Sequence, residues 1–170
     1  MENEDAPSEQ DELTSRAPTE QDLIALCRTL NALSARYMIV GGFAVIYSGY
    51  ARTTTDLDLL MSVDPENEAK VYQALALLPD QAVLELEPGE VAQYTVVRVA
   101  DEITVDLMKS ASGIDYEEAS KDIVIRRVQD VDIPFASPRL LWRMKKNTHR
   151  EKDLADLLFL RQHYPEVTGE

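Results

Sequence analysis

A strand that runs into a glycine pair and is followed, 14 residues later, by a strand carrying aspartates at i and i+2 constrains this chain more than any other feature. Tyr37-Met38-Ile39-Val40 reads as a short buried strand stopped by Gly41-Gly42, and Phe43 to Tyr47 as a short helix ending near Gly49. Asp56-Leu57-Asp58-Leu59-Leu60-Met61 alternates polar and apolar at its start, so Asp56 and Asp58 share one face of a strand. Glycines at the start of a helix let backbone N–H groups come close to a phosphate, helped by the positive end of the helix. Two adjacent carboxylates offer the hard oxygens that magnesium prefers, and a bound cation removes their mutual repulsion. Taken singly, Gly-Gly is a tight turn and Asp-x-Asp a pair of solvent-facing acids. Together, with Arg52-Thr53-Thr54-Thr55 leading into the second strand, they form complementary halves of a site for a triphosphate and its Mg²⁺.

The rest of the pattern frames that site. Thr19 and Asp22 form a cap signal for a helix through Leu33, and Asp64-Pro65 caps another that ends before Pro79. Gln93 to Ala100 and Ile103 to Met108 read as a hairpin around Asp101-Glu102, with a further strand at Ala82 to Leu86. Ile123 to Val128 and Val131 to Phe135 add a second strand pair. Ser137-Pro138 opens a helix through Trp142 to Lys146, and Thr148 with Glu151 reads as a capping box for a last helix through Leu160. This order predicts an α+β (mixed α/β) domain over residues 19–165: a mixed sheet with helices packed on it.

Charge separates the chain into parts. Residues 1–22 hold eight acids against one base, Arg16, in a formal net charge of -14, and the low apolar content up to Pro18 predicts a disordered acidic tail. That charge argues against a general nucleic-acid binder. Six of the 17 Lys and Arg residues nevertheless fall between Arg139 and Lys152, which makes a local basic patch or a solvated helix face. The lone Cys27, in an apolar run, reads as a buried thiol. No apolar run approaches the roughly 20 residues that span a bilayer, and the acidic start is unlike a secretory signal. A cytoplasmic protein without membrane contact is the expectation.

The run from Gly41-Gly42 through Arg52 and Thr55 to Asp56-Leu-Asp58 resembles the signature of the nucleotidyltransferase superfamily, with its polymerase-beta-like fold. It is most similar to the AbiEii-like branch, and Lys145 followed by Lys152-Asp153-Leu-Ala-Asp156-Leu157 resembles that branch's closing motif. The resemblance spans about residues 37 to 160. It implies an NTP substrate supported by Gly41, Gly42, Arg52, Thr55 and Lys145, with Mg²⁺ held by Asp56 and Asp58. A third strand carboxylate, Asp106, would complete the metal site and activate the attacking hydroxyl, and Asp153 would orient Lys145 or the nucleotide. Because only a short stretch follows Phe135, it also implies acceptor recognition that is reduced, oligomeric or supplied by a partner. Transfer RNA or another RNA end is the acceptor it suggests, in a toxin-antitoxin-like setting with an antitoxin or other protein partner.

Plainer readings stand beside these. Asp106 could pair with Arg98 across the hairpin, Lys145 could be a surface lysine, and Asp153 could serve the helix dipole. His149 and His163 read as surface residues, and Trp142 as packing. The competing functional reading is a catalytically inactive nucleotide-binding or protein-interaction module of the same fold.

Overall fold

In the computed structural model, which describes residues 15–169, six strands form one mixed sheet flanked by helices. The chain enters through α1 (Glu20–Ala32), whose Thr19 hydroxyl and Asp22 carboxylate cap each other's backbone reciprocally. It continues through β1 (Tyr37–Val40), α2 (Gly41–Tyr47), β2 (Asp56–Met61) and α3 (Pro65–Leu75), the last capped by Asp64 with Pro65 at its first position. A short α4 (Glu90–Gln93) precedes the hairpin of β3 (Val96–Ala100) and β4 (Thr104–Met108). A two-stranded ribbon, β5 (Ser110–Ala111) and β6 (Ile114–Asp115), leads through α5 (Tyr116–Ala119) to the hairpin of β7 (Ile123–Val128) and β8 (Val131–Ala136). Two helices finish the fold, α6 (Pro138–Lys145) and α7 (Glu151–His163).

The sheet order is β3-β4-β2-β1-β8-β7. Neighbours β2 and β4, and β1 and β8, run parallel, while β1 with β2 and both hairpins are antiparallel. Leu57 and Leu59 of β2, Val105 and Leu107 of β4, and Val97 and Val99 of β3 alternate onto one buried face. The opposite face of the same strands carries Asp56, Asp58, Asp106 and Arg98 beside apolar residues such as Val96 and Met108, and this alternation is what opens the site. Cys27 is fully buried in the core.

Three expectations change. Ala82 to Leu86 forms no strand but a 3₁₀ turn at Ala82–Glu85. The buried Asp101 carboxylate accepts the N–H groups of Asp80 and Ala82 at 2.9 and 2.8 Å, and Gln81 adopts a left-handed φ of 51°, so the chain curls before it can pair. Gln93 to Thr95 stays outside the sheet because α4 holds Gln93. The last helix starts after Arg150 without a side-chain cap, and the Thr148 hydroxyl donates instead to Asp153 Oδ2 at 2.6 Å. At the N-terminal side, residues 15–18 fall in the span expected to be disordered. Yet Ser15 Oγ donates to Asp101 O at 2.6 Å and Arg16 N to Glu102 O at 2.9 Å. The remainder of the predicted tail, residues 1–14, lies outside the described residues. Among the described residues no helix is long and apolar enough to cross a membrane.

Candidate functional site

Strand register assembles the acidic centre. In the parallel β2–β4 pair Asp58 lies opposite Asp106, and in the antiparallel β3–β4 pair Arg98 lies opposite Asp106, so the four side chains of Asp56, Asp58, Asp106 and Arg98 leave the sheet on one face. Carboxylate oxygens of the three aspartates come within 4.8 Å of one another. Asp106 therefore both joins the other two and pairs with Arg98: Arg98 Nε and Nη2 donate to Asp106 Oδ1 and Oδ2 at 2.9 and 3.0 Å, and Nη2 also reaches Asp56 Oδ2 at 2.9 Å.

Asp58 is treated differently. It accepts no side-chain hydrogen bond among the described residues, and burial, then the charges of Asp56 and Asp106, push its carboxyl up to about 7. Three hard carboxylates within reach of one point, Asp58 among them half-buried and without a donor among the described residues, are a donor set that fits Mg²⁺ or a similar divalent cation.

The glycine pair makes room for these groups. Gly41 opens α2 with a φ of 72°, and a Cβ there would sit 1.9 Å from Asp58 Oδ2. At Gly42 a Cβ would sit 2.5 Å from Thr54 Oγ1 and 3.3 Å from Arg52 Nη2. Only glycine permits the carboxylate and the threonine to approach the start of α2 this closely. No side chain caps that helix start.

Opposite the triad, α6 and α7 contribute a buried charge network. Lys145, 7% exposed, donates from Nζ to Asp153 Oδ1 at 2.8 Å and lies 3.2 Å from Asp156 Oδ2. Arg52 Nε and Nη2 grip Asp156 Oδ1 and Oδ2 at 2.9 and 3.0 Å, and Arg150 Nε donates to Asp153 Oδ2 at 2.8 Å. Asp153 and Asp156 are both fully buried. Burial alone would raise the Asp153 carboxyl, but hydrogen bonds from Lys145, Thr148 and Arg150 outweigh it and hold it at about 2. With three cations on two carboxylates the network keeps a net positive charge beside the acidic centre.

A cleft of about 240 Å³ joins the two halves. Its polar lining includes Gly41, Gly42, Arg52, Thr54, the three aspartates, Arg98, Lys145, Arg150 and Lys152, and its apolar wall includes Val96, Met108, Leu141 and Met144. Thr55 points elsewhere: it is exposed and reaches only Asp56 Oδ1, at 3.4 Å, while its neighbour Thr54 takes the place in the cleft. Asp153 stands behind Lys145 and outside the cleft lining. The expected basic patch is partly consumed internally, since Lys145 and Arg150 serve the buried network and Arg143 pairs with Glu118 at 2.5 Å. Trp142 packs against the core, His163 stacks on Phe159, and His149 is exposed.

Lys152 and Asp156 stand in the closing motif, but they, Arg150 and Thr54 carried no assigned role in the site. Asp156 follows Asp153 by three positions, hence on the same helical face, and that spacing was a usable signal. Thr54 carried no signal that separated it from its neighbours.

No protein-family model and no curated protein matches the chain. Among solved structures, JHP933 from Helicobacter pylori is similar at 20% identity, with 89% of this chain and 70% of that one covered and a TM-score of 0.51. An antigenic nucleotidyltransferase-like protein from Paracoccidioides brasiliensis aligns over 83% of this chain and 74% of its own at 18% identity and a TM-score of 0.48. The likeness to JHP933 is one of fold: the chain shares that protein's mixed α+β architecture, a sheet flanked by helices.

Proposed function

We propose that this chain is a magnesium-dependent nucleotidyltransferase that moves a nucleoside monophosphate from an NTP to an acceptor hydroxyl. The observation that carries the reading is the convergence of Asp56, Asp58 and Asp106 on one point, beside Gly41-Gly42 and across a cleft from the Lys145 network. A metal held by the three carboxylates would neutralise triphosphate charge and stabilise the entering and leaving oxygens.

The chain's own residues do the positioning. Gly41 and Gly42 bring uncapped backbone amides to the cleft, and the net positive network of Arg52, Lys145 and Arg150 faces the triphosphate from the other side. Asp106 accepts the proton of the acceptor hydroxyl as its oxygen bonds the α-phosphorus, and the bond from that phosphorus to the bridging oxygen breaks to release pyrophosphate. Most of the rate enhancement then comes from orientation and charge, as in other phosphoryl-transfer chemistry.

The motif order resembles that of the AbiEii-like branch, and on that resemblance we propose a transfer RNA end as acceptor, with an antitoxin as protein partner. Arg139, Lys146 and Lys152, exposed and without ion pairs among the described residues, would meet such an acceptor. One observation favours the alternative of a non-catalytic module: Arg98 already pairs with two of the three carboxylates. Incubation with α-labelled NTPs, magnesium and bulk transfer RNA decides between them. Label on RNA that disappears in Asp106→Asn supports transfer, and no label on any acceptor with intact NTP binding favours the module.

A further inference from the structure

Arg98 is the one cation of the cleft whose partners are the metal-binding carboxylates themselves. Arg52 is committed to the buried Asp156, Lys145 to Asp153 and Asp156, and Arg150 to Asp153. Arg98 instead covers both oxygens of Asp106 and one of Asp56. It stands on β3, the edge strand of the sheet, with 60% of its side chain exposed, and no other side chain holds it among the described residues. A guanidinium in that position supplies the positive charge that three crowded carboxylates need in the absence of metal.

A divalent cation on these carboxylates would compete with this guanidinium for their lone pairs and repel it. Asp106 has both oxygens engaged, and like charges at such separations repel strongly. With an exposed side chain on an edge strand, Arg98 can leave without disturbing the core. We infer that Arg98 is a removable internal counter-ion: it holds Asp56 and Asp106 until a divalent cation displaces it, and it then turns into the cleft to bind the phosphate groups that arrive with the metal. The inference rests on the metal-dependent NTP reading above and adds to it an order of events, metal first and nucleotide second, set by one arginine.

Opposite effects on two ligands test it. Mn²⁺ binding to the whole protein, without nucleotide, is followed by the electron paramagnetic resonance signal of the free ion for wild type, Arg98→Ala and Arg98→Lys. ATP binding is then titrated at saturating Mn²⁺. The expected result is Mn²⁺ affinity at least threefold tighter in Arg98→Ala, together with ATP affinity at least threefold weaker, and Arg98→Lys between wild type and Arg98→Ala in both. A residue that merely braces Asp106 would loosen Mn²⁺ in Arg98→Ala, so Mn²⁺ bound no tighter than by wild type overturns the inference, as does unchanged ATP binding. Circular dichroism of each variant confirms folding, and Arg98→Lys keeps the test decisive if Arg98→Ala does not fold. Should wild type bind Mn²⁺ and ATP while the arginine variants match it, the counter-ion role fails and the nucleotidyltransferase reading stands. Should Mn²⁺ tighten in Arg98→Ala while wild type binds no ATP, the phosphate role and the nucleotide reading fall, leaving only competition with metal.

Discussion

Asp58 is half-buried with no hydrogen-bond donor among the described residues, and its ordinary value of 3.8 rises to about 7 through burial and then through Asp56 and Asp106. The direction fixes a pH effect. Between about pH 4 and 7 the folded state holds a proton on Asp58 that the unfolded chain has released, so this residue's contribution lowers stability as pH rises through that window. Asp58→Asn removes the effect. With chelator present, the variant is expected to match wild type near pH 4 and to exceed it at pH 8 by up to about 4 kcal/mol in urea unfolding, from the size of the shift. An equal difference at both pH values would contradict the assignment. The Gly41 contact with Asp58 explains why this carboxyl is crowded: the glycine was legible in the sequence, but as a turn and phosphate cradle, and its closeness to Asp58 Oδ2 depends on a β1–β2 register that local pattern does not encode.

Elements α6 and α7 bury Leu140, Leu141, Met144, Phe159 and Leu160 in the core, and ions add a second tie to the Arg52 loop. Asp156, fully buried between Arg52 and Lys145, is the tie between them. Removing one partner of a buried network leaves uncompensated charge, so Asp156→Ala is expected to cost about 3–5 kcal/mol in urea unfolding, well above a surface pair. A loss under about 1 kcal/mol would mean that Arg52 and Lys145 rehydrate freely and that the network does not organise the cleft. Most helices and strands were readable because their caps and periods are local: Thr19 with Asp22, Asp64 with Pro65, Ser137 with Pro138, and the alternation in β2 and β4. Ala82 to Leu86 misled because the carboxylate that curls it, Asp101, lies about 20 residues away. The ribbon of β5 and β6 is two residues per strand, too short for a period to show.

At the scale of the molecule, the sheet order places β2 between β4 and β1, which brings a motif from one end of the domain against a hairpin from its middle and helices from its end. The three acids were nameable from sequence because each sits in a strand otherwise apolar. That they meet, that Arg98 covers two of them, and that Lys145 is buried rather than reaching outward follow only from strand pairing and helix docking. The proposed function requires that this assembled cleft bind a nucleoside triphosphate through metal. Calorimetric titration of each of the four NTPs in magnesium, with wild type and the Asp56→Asn/Asp58→Asn double variant, tests it most directly. The expected result is magnesium-dependent binding of at least one NTP by wild type that is lost in the variant and on chelation. Binding of no NTP by wild type, or equal binding by the variant, would contradict it.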